Sequence, residues 1–311
     1  MQKNLFIYIA LLSSLFLTLS SCEEVEDPVL EVPGDGGGDV LDWELCPDVI
    51  PSEYQFPEFI PVSNPEQDVL LEDFTGHTCA NCPEAAEVAS DLEDAYPGRV
   101  HVASVHAGPG NGFQQVQAGY PTDFTTQAGD DYVDQIDPPI FGNPAGTINR
   151  LGGGPTGGIW FLPDQWPTKT DEALALEPRL SIQMEAFHCP QSHGLFVHSA
   201  IESEVSLDPS EYRYIIYLLR QKVISPQSDG SQTIEDYEHH NVLSDNINGS
   251  WGTAISPDTL AVEQMVELNH SYQLPDPALD STYQVSNLAL LGFVVDRQSE
   301  EVIQSQFLEL D

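Results

Sequence analysis

The segment VLLEDF (69–74) is a mostly apolar run, as in a strand buried on both faces. Beyond it, Ala85, Ala86, Val88, Ala89, Leu92 and Ala95 recur at helical spacing, and Tyr96-Pro97-Gly98 supplies the stop. RVHVASV (99–105) follows as a Val-rich β run. In this order the three segments predict a βαβ unit. Residues 107–141 are rich in Gly and Pro, with a helix expected at about 124–136. GNPAGTINR (142–150) reads as a turn leading into a short strand, and 170–176 as a further helix. From about residue 179 the pattern changes to strands separated by polar turns, at 180–186, 195–201, 212–223, 285–295 and 302–308. Strands without alternating helices predict an all-β, sandwich-like domain over 179–311, after an α/β domain over 67–178.

The N-terminus reads differently. MQKN is short and positive, and residues 5–19 are almost wholly apolar but short for a membrane span. This marks a signal peptide over 1–21. Leu19-Ser20-Ser21-Cys22 resembles the lipobox of bacterial lipoproteins. The resemblance implies cleavage before Cys22, a lipid on Cys22, and a chain anchored to the membrane rather than threaded through it. Glu23-Glu24 resembles the surface-export signal of Bacteroidetes lipoproteins, which implies display on the cell surface; the periplasmic face of the outer membrane is the alternative. Residues 22–66 read as an acidic, Gly/Pro-rich tether, with EVPGDGGGD (31–39) free of any hydrophobic period. Asp35, Asp39 and Asp42 lack the ligand spacing of a calcium loop. Trp43, Cys46 and the prolines after them predict that the end of the tether docks on the folded part.

Charge narrows the function classes. Nine Lys and Arg stand against fifty Asp and Glu in 311 residues, a formal net charge of -41. Such a surface repels phosphate backbones, so no nucleic-acid partner is expected. There is no Gly-x-Ser-x-Gly, no phosphate loop and no His-Glu-x-x-His, and nothing calls for a cofactor.

The chemistry concentrates in LEDFTGHTCANCPEA (71–85), with Cys79 and Cys82 at the strand-to-helix turn. A helix N-terminus offers unpaired N–H groups and partial positive charge, which lower the pKa of a thiol there. Three readings stay open for the pair: a redox-active disulfide, a structural disulfide, or a metal clip. Metal needs further ligands, with His77 and His106 as candidates, and a lone CxxC is a weak zinc signal; no metal site is assigned. With Cys22 spent on lipid, Cys46 and Cys189 make the count even and are expected to bond in an oxidising compartment. His188 and His193 leave metal ligation as the alternative for Cys189.

The local pattern resembles thioredoxin-like proteins. Asp73 stands six residues before Cys79, at the offset of their buried acid, and Pro144 falls where they keep a cis-proline. The resemblance implies that Cys79 attacks a substrate disulfide, Cys82 resolves the mixed disulfide, Asp73 relays the proton and Pro144 presents backbone to the substrate. The long interval from Cys79 to Pro144 implies an insertion at about 107–136. Thr78 in place of Trp, the Ala80-Asn81 pair, and Pro83 after the second cysteine depart from the usual pattern.

Three motifs in order, LEDFTGHTCANCPEA, PAGTINR (144–150) and DYEHHNVLSDNINGSWG (236–252), resemble the thioredoxin-like outer-membrane lipoprotein family of Bacteroidetes named for a twenty-eight-kilodalton outer membrane protein. The resemblance implies an α/β thioredoxin-like domain followed by an all-β sandwich-like domain, at the outer membrane. Two activities stay open: a thiol–disulfide oxidoreductase acting on protein disulfides, and a non-enzymatic surface binding or adhesion protein whose CxxC is structural. In the third motif, His239 and His240 on a strand point to opposite faces, so one is expected to be packed and one solvated. Asn248-Gly249 is a hairpin signal.

Overall fold

The structure is a computed structural model and describes residues 41–207, 212–255 and 259–311. The expected signal peptide, Cys22 and the expected tether up to residue 40 lie outside the described residues. Among those described, no helix is long and apolar enough to cross a membrane.

The apolar run forms β1 (Val69–Phe74), buried at every position. Helix α1 (Cys82–Ala95) follows, with Pro83 in its first turn, where a missing N–H leaves nothing unsatisfied. It lays Cys82, Ala85, Ala89 and Leu92 on one buried stripe. Strand β2 (Val100–Val105) then pairs parallel with β1, Val69 opposite Val100 through Phe74 opposite Val105. The 107–141 segment holds helix α2 (Gln127–Gln135), whose N-cap Thr126 accepts from the Gly129 N–H. Strand β3 (Ala145–Ile148) pairs antiparallel with β1 on its other edge. Helix α3 (Trp166–Leu174) presses Trp166 onto β3 so closely that a Cβ on Gly146 would stand 2.6 Å from the ring.

The remainder is strands: β4 (Leu180–Cys189), β5 (Gly194–Ser203), β6 (Tyr212–Ser228), β7 (Thr233–Asn246), β8 (Thr253–Ala254), β9 (Met265–Gln273), β10 (Leu288–Asp296) and β11 (Val302–Glu309). They do not form a sheet apart from the first half. One eight-stranded sheet runs β11-β10-β6-β7-β2-β1-β3, with β8 added to β6. Strands from both sides of residue 179 therefore share one sheet, joined where Ser104 of β2 opposes Val242 of β7. The Ser104 hydroxyl donates to the His240 carbonyl at 2.8 Å across this join. A second sheet, β4-β5-β9, lies against the first. Leu180, Leu195, Val197 and Ile201 from it share a core with Ile216, Leu218, Leu290 and Val294.

A buried ion pair ties β1 and the end of β3 to β6 within the large sheet. Arg150 donates from Nε and Nη2 to the Glu72 carboxylate at 2.8 and 2.7 Å. Thr147 and Tyr217 hydroxyls donate to the same carboxylate, each at 2.7 Å. The guanidinium lies over the Tyr132 ring, 4.4 Å from its centre. Burial alone would raise the Glu72 pKa, but the Arg150 charge and these hydrogen bonds hold it below the usual carboxylate range.

Upstream, Leu41 and Cys46 are buried with Cys189 and Phe196, and Trp43 and Tyr54 pack on them. Cys46 and Cys189 are bonded across a sequence separation of 143.

Candidate functional site

Strand β1 ends at Phe74, and Thr75 to Asn81 carry the chain into α1. Cys79 and Cys82 form a disulfide with Cα atoms 5.4 Å apart. Both cysteines are 2% exposed. The cover comes from two segments. From the 107–141 segment, Phe113 offers its carbonyl to the Thr78 N–H at 3.2 Å and the Thr78 hydroxyl at 3.1 Å. Gln114 donates to the Thr75 carbonyl at 2.6 Å. Position 76 must be glycine here, since a Cβ would stand 2.7 Å from the Phe113 backbone oxygen. From the β6–β7 hairpin, the Gln227 amide donates to the Cys79 carbonyl at 3.1 Å, and the Ser228 N–H to the His77 carbonyl at 2.8 Å. Gly230 sits against Ala80, the residue between the cysteines.

The Asn143–Pro144 peptide is cis. The Asn143 side-chain amide donates to the carbonyls of Phe74 and Ala107 at 2.8 and 2.9 Å, which pins this turn to the end of β1.

On the Cys82 side of the disulfide lies a cavity of about 540 Å³. Asp73 and Cys82 both line it, with His106, Glu87, Tyr237 and His239 among the other walls; Cys79 and Pro144 do not. Asp73 is 1% exposed, and its Oδ1 has no hydrogen-bond partner among the described residues. Burial pushes its carboxyl up to about 7. His106, directly after β2, has no partner at either ring nitrogen among the described residues and stacks on Phe124 at 4.3 Å. Burial holds it well below the ordinary histidine range, and holds His239 at about 4, so both rings are neutral at pH 7. His240 points outward, its side chain 63% exposed. Of the adjacent histidines, one is packed and one solvated, as their strand alternation requires. Among the described residues, no group of three or more His, Cys, Asp or Glu is arranged to hold a metal ion.

Sequence reasoning singled out Asp73, Cys79, Cys82 and Pro144, and the structure gathers Asp73 and Cys82 on one cavity. It missed the part that β7 plays. Tyr237, His239 and Asn241 were not assigned to the site, whereas they lie within a strand that forms one of its walls. The signal available was the packed-and-solvated alternation of the two histidines.

The chain is thus a mixed α/β protein with a large mixed sheet and a covered disulfide at its first helix. The family described as "Outer membrane protein Omp28" matches over residues 131–310, more than half of the chain, and the chain belongs to this outer membrane protein family. The match begins after the CxxC segment, so the first motif lies outside it. Among solved structures, HBP35 of Porphyromonas gingivalis is 17% identical, with a TM-score of 0.58 over 79% of this chain and 76% of that one. This likeness shows a shared fold. A domain of the outer membrane lipoprotein Omp28 from Porphyromonas gingivalis is 15% identical, with a TM-score of 0.27 over 44% of this chain and 91% of that one. A protein from Agrobacterium tumefaciens is 10% identical, with a TM-score of 0.48 over 79% and 96%. Comparison with curated protein sequences gives no significant match.

Proposed function

We propose that this Omp28-family protein is held at the outer membrane by a lipid on Cys22 and acts at the cell surface as a binding protein. In this reading residues 67–178 are thioredoxin-like, residues 179–311 are a β-sandwich, and Cys79–Cys82 is a structural disulfide. The parallel β1–α1–β2 unit with antiparallel β3 supports the first assignment. The core shared by two facing sheets supports the second.

One observation carries the reading of the disulfide: Cys79 is 2% exposed under a cover hydrogen-bonded from both sides. Thiol–disulfide exchange requires a thiolate to reach a disulfide sulfur, so access limits the rate. A protein substrate meets Phe113 and the Gln227–Gly230 turn before it meets sulfur.

A second reading, a thiol–disulfide oxidoreductase, is favoured by Asp73. Its unpartnered carboxyl shares a cavity with Cys82 and titrates at about 7, suited to exchange a proton with a resolving thiol. The two readings separate on the reduction potential of the pair, measured by thiol trapping of the full chain in graded glutathione buffers. A structural disulfide gives a value below about -300 mV and no insulin reduction. A value between roughly -270 and -120 mV, with turnover lost in Cys79→Ser, establishes the oxidoreductase instead.

A further inference from the structure

The cavity behind the disulfide has the size and the unmet polar groups of a ligand site. Its volume, about 540 Å³, falls within the range of roughly 300–1,000 Å³ typical of small-molecule pockets. Buried polar atoms without partners are exceptions in folded proteins. Two such side chains line this one cavity, Asp73 through Oδ1 and His106 through both ring nitrogens. They sit on neighbouring strand ends, where β1 and β2 run parallel, so the main chain of each strand is already paired.

The lining selects the charge of the ligand. Five carboxyl side chains line the cavity and, among the described residues, no lysine or arginine does. The nearby Lys222 ammonium is taken up by Glu238 at 2.5 Å. Asn241 donates to both oxygens of Glu93, at 3.2 and 3.3 Å, and so fixes that carboxylate on the wall. Tyr237 adds a half-buried aromatic ring to the same wall. An anion entering here meets like charge from every side. A neutral ligand gives the Asp73 oxygen a hydrogen bond at most and leaves the charge of the carboxylate wall uncompensated. A metal ion lacks a donor group of three among the described residues. A carboxylate-lined, partly desolvated wall with an aromatic ring suits an organic cation, which gains both charge pairing and a cation–π contact.

We infer that this cavity binds a small organic cation, a primary amine or guanidinium compound, with the carboxylates of Asp73, Glu87 and Glu93 as counter-charges and Tyr237 as its aromatic wall. The inference deepens the binding-protein reading above and rests on it.

The test is isothermal titration of the full-length chain at pH 8 with agmatine, and with glutarate as an anion of similar length. Saturable, one-to-one agmatine binding is expected, with no heat from glutarate. Glu87→Gln and Asp73→Asn should each weaken agmatine binding by about tenfold, equivalent to about 1.4 kcal/mol. Glu87 is exposed, so its substitution leaves the fold intact and keeps the test decisive even where Asp73→Asn alters packing. Glu267→Gln, on an exposed position of β9 outside the cavity, should leave binding unchanged. Absence of agmatine binding overturns the inference. So does an equal loss in Glu267→Gln and Glu87→Gln, which marks general attraction to a chain of net charge -41. The titration keeps the disulfide oxidised, so its failure leaves the covered-disulfide reading standing. A potential in the catalytic range removes that reading without touching the cation result.

Discussion

Replacing Glu72 by Gln keeps the outline of the side chain and removes the charge that compensates Arg150. Arg150 is 1% exposed, so water cannot substitute for the lost carboxylate. Breaking one partner of a buried, hydrogen-bonded pair costs about 3–5 kcal/mol, because the other charge stays buried and unpaired. Gln keeps one acceptor oxygen for the Thr147 or Tyr217 hydroxyl, which places the loss toward the lower end. An unfolding entropy of about 2.1 cal/mol/K per residue gives roughly 0.6 kcal/mol/K for a folded part of roughly 270 residues, so Tm should fall by about 5 °C. Arg150→Met should lose a similar amount, with Glu72 left holding two hydroxyl donors and no counter-charge. The double variant removes both charges together and should fall short of the summed losses by at least about 1.5 kcal/mol. The Glu72 pKa is depressed in the fold, so this stabilisation is present above the ordinary carboxylate value and is lost as pH falls through the lower folded one. Thermal and urea unfolding of the parent, both singles and the double at pH 7 gives the complete cycle. Singles within about 1 kcal/mol of the parent, or a strictly additive double, refute the reasoning.

Three further outcomes are expected. The folded chain retains the Asp73 proton up to about pH 7, whereas the unfolded chain releases it near pH 4; stability therefore falls as pH rises across that window. Asp73→Asn should gain on the order of 2–4 kcal/mol at pH 8 and little at pH 4.5, and an equal effect at both pH values in melting curves argues against burial as the cause. His101, His239 and His270 are pushed to about 4, chiefly by burial, so the unfolded chain binds the extra protons and stability falls as pH drops from about 6.5 to about 4. His270→Gln should flatten that decline in Tm, and an unchanged slope contradicts it. Removing Cys46 and Cys189 together opens a link across 143 residues, for which loop entropy gives a loss of up to about 5 kcal/mol; a change below about 1 kcal/mol in urea unfolding contradicts that account.

The first βαβ unit was legible because each signal in it agrees. An unbroken apolar run, a helical stripe, a Pro-Gly stop and a Val-rich run have one joint solution, and β1, α1 and β2 fall where these place them. The later strands were legible in proportion to their burial. Strand β5, central in its sheet and buried throughout, reads as a strand; β9, at the edge of that sheet with half-exposed positions, does not. Strand β7 was legible only at His239 and His240, since its outer half is solvated and carries Glu235, Asp236 and Glu238. The continuous sheet could not be read at all. It rests on Ser104 meeting Val242, a contact with no local pattern. At the site, the offset of Asp73 from Cys79 was visible in the chain, but the cover over Cys79 was not, because Phe113 and Gln227 reach it from 34 and 148 residues away. Glu72 and Arg150 stood inside the quoted motifs, yet a charged residue in an apolar run gives no sign of which partner neutralises it.

The hydrogen bonds between the start of β1 and β11 also constrain how the chain folds. The Gln67 amide, just before the first strand, donates to the Ile303 carbonyl, and Gln304 accepts from the Asp68 N–H and donates to the Glu66 carbonyl. These bonds span 236 to 238 residues of sequence. Glu72 likewise waits for Tyr217, 145 residues on, before its carboxylate is fully paired. Contacts of such long sequence separation raise the contact order, and loop closure must precede their reward, so folding is slow. The half that carries the CxxC therefore completes its contacts only after the C-terminal strands are in place. Until β6 and β7 arrive, β2 lacks its outer sheet neighbour and the disulfide lacks half of its cover, so the burial of Cys79 belongs to the later, long-range part of folding.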